Sequence, residues 1–308
     1  MHGERIAVLT APVAQGRVLP RSSVLADYWA LTKPDVNLLI LITTFAGFCL
    51  ARPVQSVGFP VLGLFHTLLG TLLVASGTGT LNQFVERQFD AQMRRTKRRP
   101  LSAGRIEASR ALWFGILLSV SGAIYLAAAV NLLASLIAVL TLLSYLFLYT
   151  PLKRKTPLCT LAGAVPGAAP PLIGWAAASG KLGLEAWMLY GMVFLWQFPH
   201  FMAIAWIYRE DYERAGYLVL PRGERRDSFM TWQSVLPSLS LILLSLVPML
   251  LGSEGLIYTA GALLFSMGFL YCAGQLALRR TNAVARRLLL ASILYLSLLF
   301  VLMVLDKT

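Results

Sequence analysis

The chain is divided by its basic residues. Long apolar runs alternate with short polar connections, and the positive charges gather in every second connection. Reading along the sequence gives nine apolar stretches, roughly 36–55, 60–81, 108–128, 131–149, 159–178, 186–206, 233–252, 256–277 and 285–305. Each approaches the length of about 20 residues that an α-helix needs to cross a bilayer. Only 13% of residues are charged and 57% are hydrophobic, against roughly 25% charged in a soluble domain. The expected fold class is therefore an all-α integral membrane protein with nine transmembrane helices.

Of the 27 Lys and Arg, only Arg52, Lys181 and Lys307 lie outside the N-terminal segment and the connections after the second, fourth, sixth and eighth runs. Basic loops stay on the cytoplasmic side of a membrane. The expected placement is a bacterial cytoplasmic (inner) membrane, crossed many times, with the N-terminus cytoplasmic and the C-terminus periplasmic. Residues 1–26 read as a flexible cytoplasmic tail and 27–308 as one membrane domain. No apolar core follows the basic residues of that tail, so no signal peptide is expected. The net charge of +13 is accounted for by this topology and does not call for nucleic acid. Cys49, Cys159 and Cys272 all fall in apolar runs, form no C-x-x-C and read as packing residues.

Polar chemistry concentrates where two of these runs end. Asn82, Glu86 and Asp90 recur every four residues, which stacks them on one face of a helix that extends the second run. Arg94, Arg95, Lys97, Arg98 and Arg99 follow at once. Carboxylates beside a basic cluster suit a metal-bound polyphosphate. Mg²⁺ takes one or two carboxylates plus phosphate oxygens, and guanidinium groups grip the remaining anionic oxygens in pairs. A solvated helix end, with the acids merely paired to Arg94, is the alternative.

A second acidic group follows the sixth run, at the same expected depth. Glu210, Asp211 and Glu213 lie there with Tyr208 and Tyr212. Glu210 and Asp211 are candidates for a second metal or for the other half of one site, and a mixed-charge surface loop is the alternative. His200 lies inside an apolar run beside Pro199, and ionisable groups within a membrane are functional candidates by default. A hydrogen-bonded structural histidine is the competing reading. Lys33 and Lys153, at the same end, are candidate phosphate contacts or simple topology anchors. Nucleotide-binding loops, H-E-x-x-H and a Ser/His/Asp set are all absent from the sequence.

These residues resemble the UbiA prenyltransferase superfamily, whose first motif is N-x-x-x-D-x-x-x-D. Here the middle acid is Glu86. That variant, the text D-x-x-M-x-R-T-x-x-R-P from Asp90 to Pro100, Tyr149-Thr-Pro-Leu-Lys-Arg, Pro170-Pro-Leu-Ile-Gly-Trp175, Trp196-Gln-Phe-Pro-His-Phe201 and Tyr208-Arg-Glu-Asp-Tyr-x-Arg-Ala-Gly216 are similar to the haem-farnesylating branch. The resemblance covers about Asp27 to the C-terminus. It implies nine helices around a central cavity, with the active site near the cytoplasmic face. It further implies transfer of a farnesyl group from farnesyl diphosphate to a vinyl group of haem B, with water addition to give haem O.

On that reading Asn82, Glu86, Asp90, Arg95 and Arg99 form the catalytic set, with Mg²⁺ on Glu86 and Asp90. Lys33, Arg94, Lys153, His200, Tyr208 and Tyr212 contact substrate, His200 through haem iron or a propionate. Haem A synthase or terminal-oxidase assembly factors are the implied protein partners. The superfamily's second D-x-x-x-D motif is replaced here by Y-R-E-D-Y, which leaves the acids of a second metal open. The rival readings are a superfamily member with an aromatic quinone-precursor acceptor and a non-catalytic membrane haem carrier.

Overall fold

The computed structural model describes residues 23–53 and 58–308. Among these the chain is helical, with no strand and one isolated bridge between Glu254 and Lys307. The helices are α1 (Val24–Leu31), α2 (Pro34–Leu50), α3 (Val61–Asp90), α4 (Ala108–Ala129), α5 (Leu132–Leu143), α6 (Thr150–Leu152), α7 (Cys159–Gly167), α8 (Pro170–Ser179), α9 (Leu184–Ile207), α10 (Arg209–Arg214), α11 (Arg225–Leu250), α12 (Leu256–Arg279) and α13 (Asn282–Leu305). A π-helical segment, Ser144–Tyr149, joins α5 to α6. Among the described residues eight spans are long and apolar enough to cross a membrane, and the α1–α2 pair, bent by 47°, makes up to nine. The protein is thus a multi-pass membrane protein.

Three features of the spans differ from the plain nine-rod expectation. The first span is broken at Lys33, whose φ of 54° is left-handed, and Pro34 then starts α2. Proline suits the first turn of a helix because its missing N–H has no partner there anyway. The fourth span contains the π-segment, and the fifth is interrupted between α7 and α8, where Pro170 opens the second half. Helix α1 begins at Val24, inside the segment expected to be a tail; residues 1–22 of that segment lie outside the described residues.

Helices α3 and α4 pack along their length, α2 packs on α8, and α9 is embedded among α7, α8, α11 and α13. Small residues make the close crossings. A Cβ on Gly47 would strike the backbone carbonyl of Pro171, and one on Gly174 that of Thr44. In lipid such close approach, rather than exclusion of water, drives helices together. The outward faces carry Leu243, Leu264, Leu290 and Val301, all exposed, as a lipid-facing surface requires. The polar residues collect at one end, where α3, α6, α9 and α10 meet.

Candidate active site

Helix α3 runs without interruption from Val61 to Asp90, so Asn82, Glu86 and Asp90 do share one face. All three are buried, at 1%, 6% and 1% exposure. That excludes the solvated helix end. Buried carboxylates need partners, and each has one. Lys153 Nζ donates to Glu86 Oε1 at 3.0 Å, and Asn82 Nδ2 donates to Glu86 Oε2 at 3.0 Å. Arg99 donates to Asp90 Oδ2 at 2.6 Å. Lys33 Nζ donates to Asn82 Oδ1 at 2.5 Å. Burial disfavours the Lys153 ammonium, but Glu86 outweighs it and holds the pKa well above the ordinary value.

The local chain makes these contacts possible. Gln83 Nε2 caps the last carbonyls of α1, donating to Ala30 O and Leu31 O at 3.1 and 3.0 Å. Asn37 Nδ2 donates to Thr32 O and to Ser76 Oγ, both at 2.9 Å. The chain is pinned on both sides of Lys33, and the left-handed residue turns its side chain toward α3. The π-segment does the same from the other side. It places Tyr145 and Tyr149 edge to face at 5.1 Å, with Lys153 Nζ 4.4 Å from the Tyr149 ring centre. An extra residue in a helical turn of this kind often marks a functional site.

Lys33, Asn82, Glu86, Asp90, Arg95, Arg99, Lys153 and Tyr212 all line one cavity of about 210 Å³. Tyr145, Tyr149, Tyr217, Phe201 and Ile204 complete its walls. Pockets for drug-sized ligands run to roughly 300–1,000 Å³. The space suits a polar head group and not a whole prenyl chain with a porphyrin. Its donor set fits a small hard cation such as Mg²⁺. Two carboxylates and one amide oxygen are too few for a closed protein cage, and no trio of His, Cys, Asp or Glu is grouped for a metal among the described residues. They suffice for an ion that completes its shell with phosphate oxygens.

Other candidates are not brought to this cavity. Asp211 is buried, but its oxygens accept the backbone N–H groups of Arg94 and Arg95, both at 3.0 Å, and Arg214 at 3.0 Å. Burial opposes its ionisation, yet these donors prevail and hold the carboxyl below its usual range. Asp211 thus straps the basic turn to α10 and does not face the cavity. Glu210 is exposed and lies 3.7 Å from Arg209. Neither acid lines the space where a second metal was expected, for the reason that α10 turns them to the bundle surface and to the Arg94–Arg95 backbone.

The side chain of Arg94 is exposed, and Arg94 contributes through its backbone N–H. Tyr208 does not line the cavity but carries the Arg95 guanidinium 4.8 Å above its ring. His200 stacks on Trp196 at 4.7 Å and pairs through Nδ1 with Ser292 Oγ at 2.7 Å, away from the cavity lining. Sequence reasoning missed Tyr145, Thr150 and Tyr217. Thr150, which accepts from Asn82 Nδ2 at 3.3 Å, lay within the Y-T-P-L-K-R text. Tyr145 and Tyr217 carried no signal.

The UbiA prenyltransferase family model matches residues 40–300. The chain is 49% identical over 287 residues to the protoheme IX farnesyltransferase of Solibacter usitatus, covering 91% of this chain and 98% of that one. It is 40% identical over 306 residues to the enzyme of the same name from Koribacter versatilis, covering 96% and 99%. Among solved structures, a digeranylgeranylglyceryl phosphate synthase superposes with a TM-score of 0.73 at 19% identity, covering 92% of this chain and 98% of that one. A UbiA homologue from Archaeoglobus fulgidus bound to GPP and Mg²⁺ superposes with a TM-score of 0.64 at 16% identity, covering 90% and 99%. With its Asn82–Glu86–Asp90 column, its basic turn and a family match over most of its length, this chain belongs to the UbiA prenyltransferase family.

Proposed function

We propose that this protein transfers a farnesyl group from farnesyl diphosphate to a vinyl group of haem B and that water then adds, giving haem O. The observation that carries the reading is the cavity in which Glu86 and Asp90 face Lys33, Lys153 and Arg99. The protoheme IX farnesyltransferase relatives at 49% and 40% identity support haem as the acceptor. We place the site at the cytoplasmic face of a bacterial inner membrane, on the grounds of the charge asymmetry of the loops.

Diphosphate leaves an allylic carbon only when its growing charge is met. Lys153 and Arg99 are held in place by Glu86 and Asp90. When a diphosphate enters, these cations turn from carboxylate to phosphate oxygens. Mg²⁺ on the freed oxygens of Glu86 and Asp90, with Asn82 beside them, would supply further neutralisation of the leaving group. Arg95, stacked on Tyr208, and Lys33, hinged at the α1–α2 break, close the remaining sides. Such preorganised charge acts on the transition state and not merely on binding. The C–O bond to diphosphate breaks, a vinyl carbon attacks the allylic carbon, and the resulting cation takes up water with loss of a proton. Tyr145, Tyr149 and Tyr212 shield the first cation from water at the cavity wall.

His200 is assigned to the haem side. Ser292 Oγ can donate to Leu289 O at 2.6 Å while accepting from His200 in the tautomer that carries its proton on Nδ1. That leaves Nε2 as the unprotonated nitrogen, the form that ligates iron. An unchanged Soret spectrum of haem bound to His200→Ala would argue against ligation. The reaction itself is tested by incubating membranes with haem B and radiolabelled farnesyl diphosphate, with and without Mg²⁺. A Mg²⁺-dependent farnesylated haem is the expected product. A labelled aromatic acceptor, or no transfer at all, would sink the assignment.

A further inference from the structure

The segment from Tyr208 to Asp211 is where the ligands of a second metal are expected, yet neither of its acids faces the cavity. What the segment does hold is one arginine, at both ends. Asp211 accepts the backbone N–H of Arg95 at 3.0 Å. Earlier in the same segment, the Tyr208 ring lies under the guanidinium of that residue, with the guanidinium carbon 4.8 Å from the ring centre. Tyr208 is half-buried and outside the cavity lining. It stands where α9 ends and α10 begins. Its N–H donates to Ile204 O and its carbonyl accepts from Tyr212 N–H, both at 3.0 Å, so both helices fix its backbone.

Arg95 differs from the other cations that line the cavity. Lys33 is bonded to Asn82, Lys153 to Glu86 and Arg99 to Asp90. Arg95 is in no ion pair among the described residues, and it is exposed where the other three are partly covered. It is therefore the cation at the cavity mouth. A free arginine side chain samples many rotamers and loses that freedom when it grips a ligand. Stacking on an aromatic face restrains the planar guanidinium without engaging its N–H donors, because the attraction runs through the ring quadrupole. An acid partner would orient the group too, but it would compete with phosphate for the same donors.

We propose that Tyr208 is a positioning residue. Its ring, together with Asp211, holds the Arg95 guanidinium at the cavity mouth with its donors free for an entering diphosphate oxygen. The proposal rests on the diphosphate reading of the cavity given above. Tyr208 acts through its ring face, and its hydroxyl has no part in the effect.

The test measures the affinity of purified full-length protein for inorganic pyrophosphate with Mg²⁺. Tyr208→Leu should weaken binding about five-fold, the order of a cation–ring contact at an accessible site. Tyr208→Phe, which keeps the ring, should restore it. Arg95→Gln should weaken binding on the order of ten-fold. Adding Tyr208→Leu to Arg95→Gln should bring no further loss, since the ring then has no guanidinium to hold. Arg95→Lys keeps the charge but not the flat fork, and it should also bind less tightly. This exposed change probes the contact from its other side, so the question stays open to test even where Tyr208→Leu does not fold. Unaltered affinity in Tyr208→Leu or in Arg95→Lys overturns the proposal. So does a loss in Tyr208→Phe equal to that in Tyr208→Leu, which would assign the effect to the hydroxyl. An additive loss in the double variant overturns it as well, because Tyr208 would then act other than through Arg95. Failure of wild type to bind pyrophosphate would instead remove the diphosphate reading itself, and the proposal with it.

Discussion

Asp90 and Asp211 are both buried aspartates beside arginines, at opposite ends of the same basic turn. Their partners differ. Asp90 is paired with the side chain of Arg99, whereas Asp211 accepts the backbone N–H groups of Arg94 and Arg95. A guanidinium on a flexible stem can be drawn away by a phosphate, and the carboxylate it leaves is then free for a metal. A backbone amide cannot leave without unfolding its turn. The first acid is therefore held by a partner that can move and the second by a backbone that cannot, although both sequences look equally suited to a metal.

This contrast is open to attack by mutation. The largest effect is expected for Asp90→Ala, which should lower prenyl transfer at least about 10³-fold while leaving the protein in the membrane. Activity near wild type, measured with labelled farnesyl diphosphate, would remove Asp90 from the site. Lys153→Met should follow. It strips the buried Glu86 of its ammonium, a loss of about 3–5 kcal/mol for breaking such a pair. The reading is a lower unfolding midpoint together with a drop in transfer on the order of 10²-fold.

Asp211→Asn should act more mildly and in a different manner. Loosening the Arg94–Arg95 turn should reduce transfer on the order of ten-fold and lower stability by about 1–3 kcal/mol. The Mg²⁺ concentration for half-maximal activity should stay put in Asp211→Asn and rise in Glu86→Gln. A rise in both would return Asp211 to the metal and erase the contrast. Glu210→Gln, an exposed change, should alter activity by less than about two-fold.

The smallest effect lies at the far end of the bundle, in a third kind of buried acid. Glu254 has one carboxylate oxygen without a partner, and burial pushes its pKa up to about 8, against the pull of Lys307. A raised carboxyl pKa favours folding below the ordinary value of 4.5, and that contribution is lost as pH rises through about 8. Unfolding midpoints should therefore decline between these limits in wild type and remain flatter in Glu254→Gln.

Much of this was legible without coordinates because it depends on local periodicity. The helix that carries Asn82, Glu86 and Asp90 follows from a repeat of four, and the spans follow from runs of apolar residues. What escaped depends on partners distant in the chain. Asp211 is committed by amides 117 and 116 residues away. Tyr217 lies in no pattern and reaches the cavity wall only because its ring packs against Phe89 and Tyr212. The left-handed Lys33 is created by Asn37, Ser76 and Gln83 acting together, and no propensity of the Thr-Lys-Pro text records it.

By itself, then, the sequence determined a multi-pass helical protein, the end at which its polar chemistry gathers, and the family to which it belongs. Hydrophobic length and helical periodicity are properties of neighbouring residues, so they survive in one dimension. Only the tertiary structure decided which acids face the cavity and which hold the chain together. That choice turns on whether a carboxylate meets a mobile side chain or a fixed backbone amide, and such meetings exist only once the helices have packed.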